Sequence, residues 1–206
     1  VTGFTGATGV RAGGLHSLAL KADGSVWAWG RNYSGQLGDG STRDRNSPGQ
    51  VSGLTGVTAI ASGPDGSHNL ALKTDGTVWA WGENGNGQLG DGSTTDRTTP
   101  IQVGGLTGVT AIAAGGAHSL ALTGDGSVWA WGRNTDGQLG DGTTTERRTP
   151  VQVGSLGGVA AIAVGGYHSL ASKSDGTLWA WGNNLYGSLG DGSDHQADFS
   201  CAGSVG

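Results

Sequence analysis

The segment HSLALKADGSVWAWGRNYSGQLGDG, His16 to Gly40, returns three more times in this chain of 206 residues. His16, His68, His118 and His168 keep register with Trp29, Trp81, Trp131 and Trp181, at spacings of 52, 50 and 50 residues. One supersecondary unit is therefore used four times, with boundaries near 1–51, 52–103, 104–153 and 154–206, and the last copy diverges after Gly192. Units of this size pack mainly on their neighbours, so residues 1–206 read as a single repeat domain. Whatever all four copies share belongs to architecture; a specific site belongs where they differ.

Within a unit, Val57-Thr-Ala-Ile-Ala61 is a β-branched run and Asn69-Leu-Ala-Leu-Lys73 a second strand. Asp75-Gly76 then precedes Val78-Trp79-Ala80-Trp81, and Asp-Gly between apolar runs predicts a hairpin with a type I′ turn. Pro100-Ile-Gln-Val103 supplies a fourth strand, since proline is tolerated at a strand start or edge. No window places apolar residues at i, i+3, i+4 and i+7, so helix is not expected. Alternation puts Trp27 and Trp29 on one face and Val26 and Ala28 on the other. A sheet apolar on both faces needs cover on both, which radial stacking of sheets provides. The expected fold is all-β: a β-propeller of four-stranded blades, or an arc of one.

The pattern Gly-Gly-x-His-Ser-Leu-Ala-Leu, Asp-Gly, Trp-Gly-x-Asn-x-x-Gly-Gln-Leu-Gly and a closing Thr-Pro resembles the RCC1 repeat, and Gly115 to Val153 matches throughout. The resemblance spans essentially the whole chain and implies a propeller, seven-bladed in that family, with a bacterial type of repeat. Functions in the family include nucleotide exchange on a small GTPase, chromatin binding, light sensing and inhibition of β-lactamases; fold does not choose among them. Four units stand where the family has seven, and the segment from His195 to Gly206 replaces the expected Thr-Pro strand. Three outcomes follow: part of a longer propeller, two chains closing an eight-bladed ring, or a compact four-bladed ring.

Composition narrows the function classes. Eleven Lys and Arg against sixteen Asp and Glu give a net charge of -5, with no basic cluster, so no nucleic-acid partner is expected. No apolar run approaches a membrane span, and no membrane partner is expected. The single cysteine, Cys201, excludes an internal disulfide framework. A secreted or extracellular location is favoured over a cytoplasmic one.

The chemical motifs fail against their own copies. Four equivalent histidines suggest a metal ring, but each blade has one, and bonding to the backbone of its own turn is the better account. Gly85-Asn-Gly-Gln-Leu-Gly90 matches a phosphate-loop pattern, yet the other units carry Ser34, Asp136 and Tyr186 there. Asp91-Gly-Ser-Thr-Thr-Asp96 lacks the carboxylate density of a calcium loop. Asn32-Tyr33-Ser34 is a glycosylation sequon. Ser17, Ser119 and Ser169 adjoin histidine, but neighbouring strand residues point to opposite faces, and Asn69 replaces the serine in the second unit. The eight tryptophans read as blade packing rather than a carbohydrate platform. No catalytic residue, metal or cofactor is expected.

Strand parity places the loop before each histidine and the long loop after each Trp-Gly at one end of the blades, where the copies diverge. That end carries Tyr33, Asp65, Asp136, Tyr167 and Tyr186, with Arg43, Arg45, Arg97, Arg147 and Arg148 in the long loops. Tyrosine and arginine are enriched in interface hot spots. The expectation is a noncatalytic module that holds a protein partner there. The alternative is a structural role, in which exposed end blades drive assembly into a homo-oligomer.

Overall fold

The computed structural model describes residues 1–154, 156–193 and the backbone of Ser204–Val205. Each repeat forms one antiparallel sheet. The first contains β1 (Ala7–Ala12), β2 (His16–Lys21), β3 (Val26–Gly30) and β4 (Arg45–Gln50). The second has β5 (Val57–Ser62), β6 (His68–Lys73), β7 (Val78–Gly82) and β8 (Arg97–Gln102). The third has β9 (Val109–Ala114), β10 (His118–Thr123), β11 (Val128–Gly132) and β12 (Arg147–Gln152). The fourth has β13 (Val159–Val164), β14 (His168–Lys173), β15 (Leu178–Gly182) and β16 (Ser204–Val205). Strands neighbour one another in chain order within every sheet, a meander.

Three details differ from expectation. The fourth strand begins at Arg97, not Pro100, because a register shift between Ala80 and Gly82 lets Gly82 pair with Arg97. The Asp-Gly hairpins are three-residue loops rather than type I′ turns. Gly24 N–H bonds Lys21 C=O, Lys21 N–H bonds Ser25 C=O, and only then does Gly24 turn left-handed at φ 78°. Asp23 caps the turn by accepting from Ser25 N–H at 2.9 Å. In the last sheet Leu178 and Trp179 pair with Val205 and Ser204, so the divergent tail does supply a fourth strand. Cys201 and His195 lie outside the described residues.

The faces of the strands explain the stacking. Leu18, Leu20, Val26 and Ala28 of the first sheet meet Val57, Ile60, Ala71 and Trp81 of the second. Leu70, Leu72, Val78 and Ala80 meet Val109, Ala121 and Trp131, and Leu120, Leu122, Val128 and Ala130 meet Val159, Ala171 and Trp181. Each aliphatic face thus receives the tryptophan face of the next blade. Removing roughly 200 Å² of indole from water at about 25 cal/mol per Å² makes each tryptophan worth up to about 5 kcal/mol. The first strands β1, β5, β9 and β13 adjoin in succession and line the axis. Packing runs from the first sheet to the second, third and fourth in turn, and among the described residues no extensive contact joins strands of the fourth sheet to strands of the first. The strand packing therefore does not close the described sheets into the compact four-bladed ring.

Candidate functional site

The loop-rich end is held from within by a buried asparagine in each repeat. Asn32 Oδ1 accepts from Leu37 N–H at 2.9 Å, and its Nδ2 donates to the carbonyls of Ser41 and Arg43, each at 3.0 Å. Asn84, Asn134 and Asn184 occupy the same place, all fully buried. Burial at that depth also leaves no room for a glycan on Asn32 of the sequon in the folded chain. The loop arginines divide into two groups. Arg97 Nε donates to Asp91 Oδ2 at 2.8 Å, Arg147 Nε to Asp141 Oδ2 at 2.7 Å, and Arg45 Nη1 lies 3.7 Å from Asp39 Oδ2. These three close their own loops. Partial burial pushes the Asp91 carboxyl up, but bonds from Arg97, Ser93 and Asn84 outweigh it and hold it below the ordinary carboxylate range. Arg43 and Arg148 are exposed.

The histidines bond across blades, not to their own turns as expected. His16 Nε2 lies 2.7 Å from Asn69 Oδ1, His68 Nε2 3.0 Å from Ser119 Oγ, and His118 Nε2 3.0 Å from Ser169 Oγ. Each of those partners donates onward to a loop carbonyl, Gln36, Gln88 or Gln138, at 2.8 to 2.9 Å. The same carbonyls accept the indole N–H of Trp81, Trp131 and Trp181. With those donors committed, the histidine proton sits on Nε2 and Nδ1 is bare. Burial, then the neighbouring imidazoles, pushes His68 down to about 3; burial, then His168 and Arg133, does the same for His118. Neutral imidazoles locked in this clasp fasten blades together.

The divergent residues converge elsewhere. A cavity of about 430 Å³ opens at the loop-rich end of the third and fourth blades, and its lining includes Asp65, Asp136, Tyr167 and Tyr186. The second repeat carries two extra residues just before His68, and its Pro64-Asp65-Gly66 loop carries Asp65 over to Gly166 of the fourth blade. Asp136 accepts from Asn183 Nδ2 at 3.0 Å and lies 3.7 Å from Arg133 Nη2. The Arg133 guanidinium stacks 5.0 Å from the Tyr167 ring centroid, propping the ring at the rim. Tyr167 is 46% exposed and Tyr186 90% exposed. Tyr33 stands apart in the first blade, 77% exposed beside Arg31.

Arg133, Asn183 and Leu185 also line this cavity, and motif reading passed over Arg133 and Asn183. Their signal was present. The residue before the buried loop asparagine is Arg31, Glu83, Arg133 and Asn183 in successive repeats, three residue types in four copies. At Glu83, burial and then Asp96 push the carboxyl up. Among the described residues, His168 is the one imidazole lining the cavity, and burial lowers its pKa.

Comparison with known proteins fits this geometry. A family model described as the RCC1-like domain matches residues 2–202. Human RCC2 is 42% identical over 89 residues, covering 43% of this chain and 17% of that protein. The crystal structure of human WBSCR16 superposes with a TM-score of 0.87 at 28% identity, over 100% of this chain and 55% of that one. Prp20p from Saccharomyces cerevisiae, described with its binding properties to Gsp1p and histones, gives 0.84 at 27% identity, over 100% of this chain and 52% of that one. The chain thus spans about half the length of these solved structures and a smaller share of RCC2.

Proposed function

Since the chain belongs to the RCC1-like domain family, we propose that it is a noncatalytic protein-interaction module that grips its partner at the loop-rich end. The observation that carries this is convergence. Asp65, Asp136, Tyr167 and Tyr186, chosen because they interrupt the repeat, come from three blades and line one cavity. Exposed tyrosines on a rigid scaffold bring contact area at low entropic cost. Prp20p, a protein of the same fold, is described with protein partners, which supports protein binding as the mode without naming this chain's partner. The test is capture of a partner by the wild type and by a Tyr167→Ala, Tyr186→Ala double variant of unchanged melting temperature. Loss of capture is expected; undiminished capture sinks the reading.

A second reading rests on the outer face of the first blade. Ser17 and Trp29 of the first blade occupy the positions that, in later blades, clasp the blade before. We infer that such a face favours association with another blade of this type. Light scattering across a hundredfold concentration range tests it, and a monomer throughout removes it.

A further inference from the structure

At the opposite end, by the hairpins, the repeats hold a cation. Lys21 Nζ sits 4.7 Å from the Trp27 ring centroid and 4.6 Å from that of Phe4, Lys73 Nζ 5.5 Å from Trp79, and Lys173 Nζ 5.2 Å from Trp179. A hairpin carboxylate accompanies the ammonium, as where Lys73 Nζ lies 3.9 Å from Asp75 Oδ2. The third repeat breaks the pattern. Thr123 stands where the others have lysine, and Gly124 where they have Ala22, Thr74 and Ser174.

The tryptophan and the carboxylate remain. Trp129 and Asp125 border a cavity of about 430 Å³, with Thr107, Thr123, Ser127 and Gln152 also lining it. Asp125 Oδ1 accepts from Thr123 Oγ1 at 2.7 Å and from Ser127 N–H at 3.0 Å, which fixes the carboxylate beside the ring. No lysine or arginine pairs with it among the described residues. The geometry points to a binding site for an alkylammonium group, the chemistry of a lysine side chain presented by a ligand, seated between the face of Trp129 and Asp125. The chain's own Lys21, Lys73 and Lys173 are the template, showing that this hairpin accepts an ammonium about 5 Å from the indole. Removing the lysine stem and the Cβ at Gly124 leaves room for one from outside. The site is independent of the loop-rich end.

The test uses the whole chain and two probes, Nα-acetyl-lysine N-methylamide and its uncharged norleucine counterpart, monitored at the Trp129 indole N–H resonance, identified by its loss in Trp129→Phe. A saturable shift at millimolar lysine probe, and none with norleucine, is expected. Thr123→Lys, which restores the sister sequence and keeps the fold, should abolish the shift. Asp125→Asn should weaken binding about twofold to fivefold, in line with one exposed ion contact. No saturable shift, an equal shift with norleucine, or an undiminished response in Thr123→Lys would overturn the proposal.

Discussion

Acid should unlock the blades through their histidines before it touches the carboxylates. An ordinary histidine titrates at 6.5, whereas His68 and His118 in the folded chain are pushed down to about 3 by burial. The unfolded chain therefore takes up two protons that the folded chain refuses. Folded-state pKa values are depressed, so stability is complete above pH 6.5 and is lost as pH falls from there towards 3. Each histidine costs about 1.4 kcal/mol per pH unit well below 6.5, and at pH 4.5 the pair removes about 5 kcal/mol. That figure holds for any folded-state value well under 4.5. For a chain of this length it corresponds to a fall in Tm of about 10–20 °C. Asp39, Asp91 and Asp141 are held below the ordinary carboxylate range, so their contributions are lost only at lower pH; Glu83, pushed up by burial and Asp96, works the other way, while His16 and His168, also pushed down by burial, add to the loss. Calorimetry at pH 7.0, 5.5 and 4.5 checks the slope. A His68→Gln, His118→Gln variant, less stable at neutral pH, should show it flattened. A Tm constant across the window, or a slope undiminished in the variant, would refute the clasp as the origin.

Three further outcomes follow from the packing. Asn134→Ala strips the loop carbonyls of Thr143 and Thr145 of their donor and Leu139 N–H of its acceptor, and should cost about 2–4 kcal/mol in urea denaturation. Gly90→Ala places a Cβ 2.9 Å from Trp131 Nε1 at φ +71°, so a loss of about 2–4 kcal/mol is expected by the same assay. Asn69→Ser, which gives the second blade the residue found in its sisters, should change stability by less than about 1 kcal/mol because the relay to Gln36 C=O survives; a larger loss would mean that the relay is not the shared device.

Much of the fold was legible because the sequence repeats. Val78-Trp-Ala-Trp81 alternates strictly, and its buried Val78 and Ala80 face one neighbour while Trp81 faces the other. What escaped reading depends on contacts about fifty residues apart in sequence. His68 looked tied to its own turn because nothing local announces that Ser119 of the next blade lies 3.0 Å away. Arg97 and Arg147 looked like recognition groups, yet Asp91 and Asp141, six residues earlier, hold them within their own loops. Asp65 was visible as an insertion, but its reach to Gly166 of the fourth blade follows from blade curvature, which no single repeat encodes. Arg133 was missed because its neighbours Gly132 and Asn134 are invariant across the copies, which disguises the variability between them.

The central claim is that the shared residues build the blades and the divergent ones at the loop-rich end do the binding. Hydrogen exchange of the chain with and without its captured partner tests it most directly. The account predicts protection gathered at residues 64–67, 133–137, 166–168 and 183–188, with the hairpins at 21–25, 73–77, 123–127 and 173–177 unchanged. Protection confined to those hairpins, or to the outer strands β4, β8 and β12, would contradict it.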